Sequence, residues 1–193
     1  MKIVHHYLFL FLLLLSLSCH NSKVDTSKYI PYKNKYSINW SDYKSIRPWG
    51  NTYAANTYVW YECDVKQIND SLEVLLGTFF VPDSSWYNPE KIDSLLLNHE
   101  RRHFDLDEAY SRQYRKYLSE WNGKTLNSFK IYFQRGNFQQ MHLALLNQYD
   151  SETNHSINAS EQERWNTKID SLLNLYKEYE KPVFRIKING LKN

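Results

Sequence analysis

Two periodicities divide the chain. Up to about residue 81 apolar and polar positions alternate in short runs, and from residue 92 apolar positions recur every three or four residues. The first pattern is that of half-buried strands and the second that of amphipathic helices. Ala54 to Val65, rich in Thr, Tyr, Val and Trp and free of Gly and Pro, predicts a long strand. Asn69-Asp70-Ser71 predicts a turn, and Leu72 to Val81 a second strand returning antiparallel to the first, ended by Pro82-Asp83-Ser84-Ser85. Placed at a sheet edge, Leu72 to Val81 would hold an extended peptide by strand addition. Tyr36 to Trp40 predicts a short first strand and Val183 to Ile188 a late one.

The helical pattern runs from Ile92 to about Trp121, with Pro89 and Glu90 suited to its first turn and Asn122-Gly123 to its C-cap. Thr125 to Arg135, stopped at Gly136, predicts a second helix, and Phe138 to Gln148 a third. Ser160 to Tyr179 predicts a fourth, amphipathic through Trp165, Ile169, Leu172, Leu173 and Tyr176, with Pro182 beyond it. This order predicts an α+β fold, a small antiparallel sheet followed by one long helix and a helical C-terminal half.

At 193 residues the chain suits one domain with a real core. Its 24 basic and 21 acidic side chains leave a formal charge of +3, which gives no argument for nucleic acid. The opening residues read as an address. Lys2 precedes an apolar run, Tyr7 to Leu15, too short to span a membrane as a mature helix but suited to a signal-peptide core. Ser16-Leu17-Ser18-Cys19 resembles a bacterial lipobox, with Ser16 where Leu is usual; an ordinary secretory peptide cut nearby is the alternative. The lipobox reading makes 1–18 a lipoprotein signal peptide, Cys19 the acylated first residue, 19–35 a tether and 36–193 a single domain. Either reading places the mature protein outside the cytoplasm, and the first one anchors it to a membrane of the bacterial cell envelope. Cys63 is then the one cysteine left, in an apolar strand; a buried hydrophobe is its expected role and a zinc ligand the alternative.

The chemistry concentrates at His99-Glu100-Arg101-Arg102-His103, the short zinc-hydrolase signature. At roughly 100° per residue the two histidines stand one turn apart on one helix face, able to bind one Zn²⁺ together. Both continue the stripe Ile92, Leu95, Leu96, His99, His103, Leu106, where unpaired polar groups are costly. Glu100, on the neighbouring strip, can hold a water and take its proton. A catalytic zinc needs a third protein ligand. Beyond the address segment and His20, only His142 and His155 remain as histidines, and Tyr149 to Ser156 reads as a polar loop between helices. His155 is the expected third ligand and Asp150 the alternative. Asp107 could orient a ligand imidazole or pair with Arg102 or another nearby arginine; Tyr149 could donate to an oxyanion. His142 is expected to be packed or solvated on its own helix.

Three blocks carry a family resemblance: Asn39-Trp40-Ser41-Asp42-Tyr43 with Ala54-Ala55-Asn56-Thr57; His99 to Leu106; and Tyr149-Asp150-Ser151-Glu152-Thr153-Asn154-His155 with Gln162 and Trp165. Together they resemble the bacterial family catalogued as domain of unknown function 922, described as zinc-dependent secreted proteases. The resemblance implies a zincin-like fold, with His99 and His103 as ligands, Glu100 as base and a third ligand between Tyr149 and His155. A Gly often follows that histidine in the family; here it is Ser156. The expected activity is zinc-dependent hydrolysis of an amide bond in a peptide or protein substrate. The alternatives are a non-catalytic envelope lipoprotein with a structural zinc site and an aromatic-rich ligand-binding domain.

Overall fold

A computed structural model describes residues 28–34, 36–121 and 126–188. The signal segment, Cys19, the start of the tether and the Asn122-Gly123 cap lie outside the described residues. The fold is α+β, a small antiparallel sheet and three helices.

The strands are β1 (Ile30–Pro31), β2 (Ala55–Asn56), β3 (Val59–Ile68), β4 (Ser71–Phe80), β5 (Trp86–Tyr87) and β6 (Val183–Lys187). β3 and β4 form the predicted hairpin, in register from Val59 opposite Phe80 to Ile68 opposite Ser71. Asn69 turns the chain at φ 54°, a left-handed position that Asn tolerates better than most residues. The sheet departs from expectation at β4, which is central. It carries β3 on one side and β1 and β6 on the other, leaving no free edge for strand addition. Its alternate residues Leu72, Val74, Leu76 and Phe80 are all buried, as a central strand under helices requires. Among the described residues β3 is one edge of the sheet, and β1 and β6 stand at the other. The late strand joins β4 with Leu72 opposite Ile186.

The tether is shorter than expected, because Ile30 and Pro31 pair with Phe80 and Phe79. Tyr36 to Trp40 forms no strand. Asn34 Oδ1 accepts from the Tyr36 amide at 2.9 Å, and Ser37 Oγ accepts from the Asn34 amide at 2.9 Å. These local bonds favour a turn over a ladder, leading into a short 3-10 turn at Trp40–Asp42. Ile38 is buried there with Tyr43, Phe80 and Phe104.

The long helix α1 spans Ser94–Ser119. It begins after Pro89, because the Asp93 side chain caps it, accepting from the Leu96 amide at 2.7 Å. Ile92 and Leu95 consequently stay exposed, and the buried stripe starts at Leu96. α1 lies across β4: Phe104 meets Phe80, Ser111 Oγ meets Thr78 Oγ1 at 2.7 Å, and Tyr114 and Leu118 cover Leu72, Val74 and Leu76. Cys63 packs against that last cluster, and burial pushes its thiol up to about 11, the profile of a small hydrophobe.

Residues expected as two helices form one, α2 (Ser128–Thr153), followed by α3 (Ala159–Leu175). Gly136 does not stop α2; a glycine inside a helix costs only about 1 kcal/mol relative to Ala. Leu106 of α1 packs with Tyr149 of α2 and Trp165 and Ile169 of α3. α1 therefore has the sheet against one side and two helices against others, which buries even its charged residues. Those charges are paired: Glu108 accepts from Arg112 at 2.8 Å and Arg115 at 2.6 Å, and Arg102 donates to Asp105 at 2.9 Å and Asp170 at 2.6 Å. No helix among the described residues is long and apolar enough to cross a membrane.

Candidate metal centre

The enclosed helix α1 holds His99 and His103 one turn apart, with ring centroids 4.8 Å apart and planes at 90°. The last turn of α2 brings Asp150 to them. Its Oδ1 lies 3.1 Å from His99 Nε2 and 2.9 Å from His103 Nε2, and the two Nε2 atoms are 3.2 Å apart. One ligand atom from each of His99, His103 and Asp150 falls within 4.8 Å of the others. Tyr149 to Thr153 was expected in a loop and belongs instead to a helix, which fixes the carboxylate more tightly than a loop would.

The hydrogen bonds around the group decide what it can hold. His99 Nδ1 lies 3.0 Å from Gln162 Oε1, which can only accept, so Nδ1 carries the proton. In the neutral ring Nε2 then presents a lone pair to Asp150 Oδ1, also an acceptor, only 3.1 Å away. Two acceptors this close can share a cation, and imidazole nitrogens with a carboxylate suit Zn²⁺. Electrostatics agree. Burial opposes charge on Asp150, but the hydrogen bond from His103 and the nearness of both imidazoles outweigh it and hold the carboxyl well below its ordinary range. Burial likewise opposes a charged His103, and the Asp150 bond outweighs it, pushing that imidazole up. A proton thus holds the pair together, and an entering cation would release it.

Glu100 is buried beside the pair, on the adjoining strip of α1. Thr57 donates to its Oε2 at 2.6 Å and accepts from the Tyr43 hydroxyl at 2.7 Å. Thr57 has one hydroxyl proton, so the order Tyr43 to Thr57 to Glu100 is fixed.

Other candidate residues sit differently from expectation. His155 lies outside the three-residue group. Its side chain is 46% exposed, with Nδ1 3.6 Å from Asp150 Oδ1 and the ring edge-on to Tyr53. Asn154, His155 and Ser156 follow α2 with φ of 48°, 50° and 79°, a left-handed run that turns His155 away from the helix axis. Tyr149 is fully buried and stacks on His99 at 4.6 Å, and its hydroxyl donates to the His99 carbonyl at 3.1 Å. Its one proton is already used, so it has none for an oxyanion. Asp107 touches neither ligand imidazole nor Arg102; it accepts from the Tyr61 hydroxyl and pairs with buried His142. Sequence reasoning gave no role to Gln162, Tyr43 or Thr57. The signal for Gln162 was a polar residue on the apolar stripe of Trp165 and Ile169, three and seven positions on.

Against family models, curated proteins and solved structures, the chain finds no match.

Proposed function

We propose that the protein is a zinc-dependent hydrolase of peptide or protein amide bonds with a zincin-like fold. The observation that carries this reading is the meeting of Asp150 Oδ1, from α2, with His99 Nε2 and His103 Nε2 on α1, the helix that also bears Glu100. His99, His103 and Asp150 would hold Zn²⁺, which would supply Lewis-acid activation of a water and of the amide carbonyl. Glu100, with Oε2 tied to Thr57, has Oε1 left to take the water proton as the oxygen attacks the carbonyl carbon. It then hands that proton to the amine nitrogen as the C–N bond breaks. Three protein donors leave a coordination position for chemistry, whereas structural zinc sites are closed by four. The edge strand β3 begins two residues after Thr57, so an extended peptide added to that end of the strand would run close to Glu100.

The resemblance to the domain of unknown function 922 family supports the same reading. So does the lipobox-like Cys19, which puts the domain on a membrane of the bacterial cell envelope, facing the periplasm or the exterior. The closeness of His155 to Asp150 favours one rival: His155 closes the site as a fourth ligand and the zinc is structural.

The test is zinc content and proteolysis of fluorescein-labelled casein and an unstructured peptide library, for wild type and Glu100→Gln. The expected result is one zinc per chain in both, with turnover falling about 100-fold or more in the variant. A folded wild type that takes up no zinc after reconstitution overturns the proposal, as does undiminished turnover in the variant.

A further inference from the structure

We infer that Gln162 is a positioning residue that locks His99 into the one tautomer able to bind a metal through Nε2. The inference rests on the metal reading above. Its ground is that two groups with no choice of role fix the direction of every hydrogen bond around the Gln162 amide.

The first is the main-chain carbonyl of His99, which can only accept. Tyr149 therefore gives it its single hydroxyl proton, at 3.1 Å, and the Tyr149 oxygen is left to accept. Gln162 Nε2 donates to that oxygen at 2.7 Å. The second is the Arg102 guanidinium, which can only donate. Its Nε reaches Asn166 Oδ1 at 3.1 Å, and Asn98 Nδ2 reaches the same oxygen at 3.1 Å. Asn166 must present oxygen there, and the second proton of Gln162 Nε2 goes to it at 3.1 Å. Both protons of the amide are thus committed, and Oε1 is turned to His99 Nδ1 at 3.0 Å. The Thr153 hydroxyl, which donates to the Tyr149 carbonyl at 2.7 Å, offers His99 Nδ1 a second and longer acceptor at 3.4 Å.

Gln162 is 2% exposed, so water does not compete for these bonds. A flipped Gln162 amide would set two acceptors against each other at Tyr149 and again at Asn166 Oδ1, which the buried setting penalises. The neutral His99 ring is consequently held with Nδ1 protonated and Nε2 bare before any metal arrives. The sequence spreads this lock over three helices: His99, Asn98 and Arg102 on α1, Tyr149 and Thr153 on α2, and Gln162 and Asn166 on α3.

The experiment compares wild type, Gln162→Glu and Gln162→Leu as full mature chains, using zinc alone as the probe. The glutamate keeps an acceptor facing Nδ1, with the Tyr149 hydroxyl able to turn its proton to the second carboxylate oxygen, and the leucine removes the acceptor. Zinc affinity, measured by chelator competition, is expected to fall about 10- to 100-fold in Gln162→Leu and to stay within a few-fold of wild type in Gln162→Glu. Nitrogen-15 spectra of the zinc-free wild type are expected to show His99 protonated at Nδ1 alone. Equal zinc affinity in wild type and a folded Gln162→Leu overturns the inference, and so does an Nε2–H tautomer of His99 in the zinc-free wild type. A wild type that binds no zinc but shows the Nδ1–H tautomer sinks the metal reading and leaves the lock standing.

Discussion

Thr57 Oγ1 lies 2.6 Å from Glu100 Oε2 and reaches it from the strand side of the molecule, 43 residues earlier in the chain. A buried carboxylate with one oxygen held by a hydroxyl is aimed, because its second oxygen can then lie in only a small range of directions. The bond costs Thr57 nothing at the metal group, which it does not touch. Thr57→Val keeps the shape and removes the proton that aims the base. Turnover is expected to fall about 10-fold, in keeping with about 1.5 kcal/mol for a hydrogen bond to a charged group, while zinc affinity stays unchanged. Steady-state kinetics beside a zinc titration checks both halves, and a parallel loss of zinc would move Thr57 from aiming the base to supporting the metal group.

Asp150 and His155 separate a catalytic site from a closed one. Asp150 Oδ1 lies within 3.1 Å of both Nε2 atoms, so Asp150→Asn, which is neutral and offers a weaker oxygen, is expected to lower zinc affinity 100-fold or more. His155→Ala is expected to leave the zinc in place and to change affinity less than 10-fold, because its ring lies outside the three-atom group. A loss of zinc and of thermal stability in His155→Ala would favour the structural, four-ligand reading. Isothermal titration of the two variants decides between them.

What could be read in advance followed from local rules, and what could not followed from packing. The hairpin of β3 and β4 and the long α1 announce themselves through alternation and three-four spacing, which need no partner. The centrality of β4 depends on where the chain returns more than a hundred residues later, at Val183–Lys187, and no local pattern carries that. Gly136 looked like a stop because glycine weakens helices, yet α2 runs through it with packing on both flanking turns. The helix also runs past Gln148, where the sequence pattern ends, to Thr153, and so brings Asp150 from an expected loop into a helix that sets its carboxylate against His99 and His103. The histidine pair was legible because its spacing is a property of one helix; Gln162 and Thr57 were not, because each acts across elements.

Ser156 sits at φ 79°, a conformation open to glycine and costly for any residue with a Cβ. It follows the left-handed Asn154 and His155, so three such residues in a row turn the chain from α2 into α3. Ser156→Gly is expected to stabilise the fold by about 1 kcal/mol, less the entropy that a glycine adds to the unfolded chain. Zinc affinity should stay within a few-fold, since Asp150 lies before the turn. Urea unfolding of both proteins measures the difference, and a destabilised glycine variant would show that the left-handed run is not strained.

Asp105 gives stability a pH dependence of unusual sign for a carboxylate. Burial pushes its pKa from 3.8 up to about 6, in spite of bonds from Arg102 and Tyr32 that favour the charged form. Below about 4 the group is protonated in folded and unfolded chains alike, and its contribution is at its fullest. Between about 4 and 6 the unfolded chain gives up this proton while the folded chain keeps it, so stability falls as pH rises through that window. Asp105→Asn is neutral at every pH and lacks this slope. The stability of wild type relative to Asp105→Asn is therefore expected to drop, by on the order of 2–3 kcal/mol, between pH 4 and pH 7. Urea unfolding of both zinc-free proteins at half-unit pH intervals reads it directly. A difference that rises with pH would mean that Arg102 and Tyr32 outweigh burial and hold Asp105 charged.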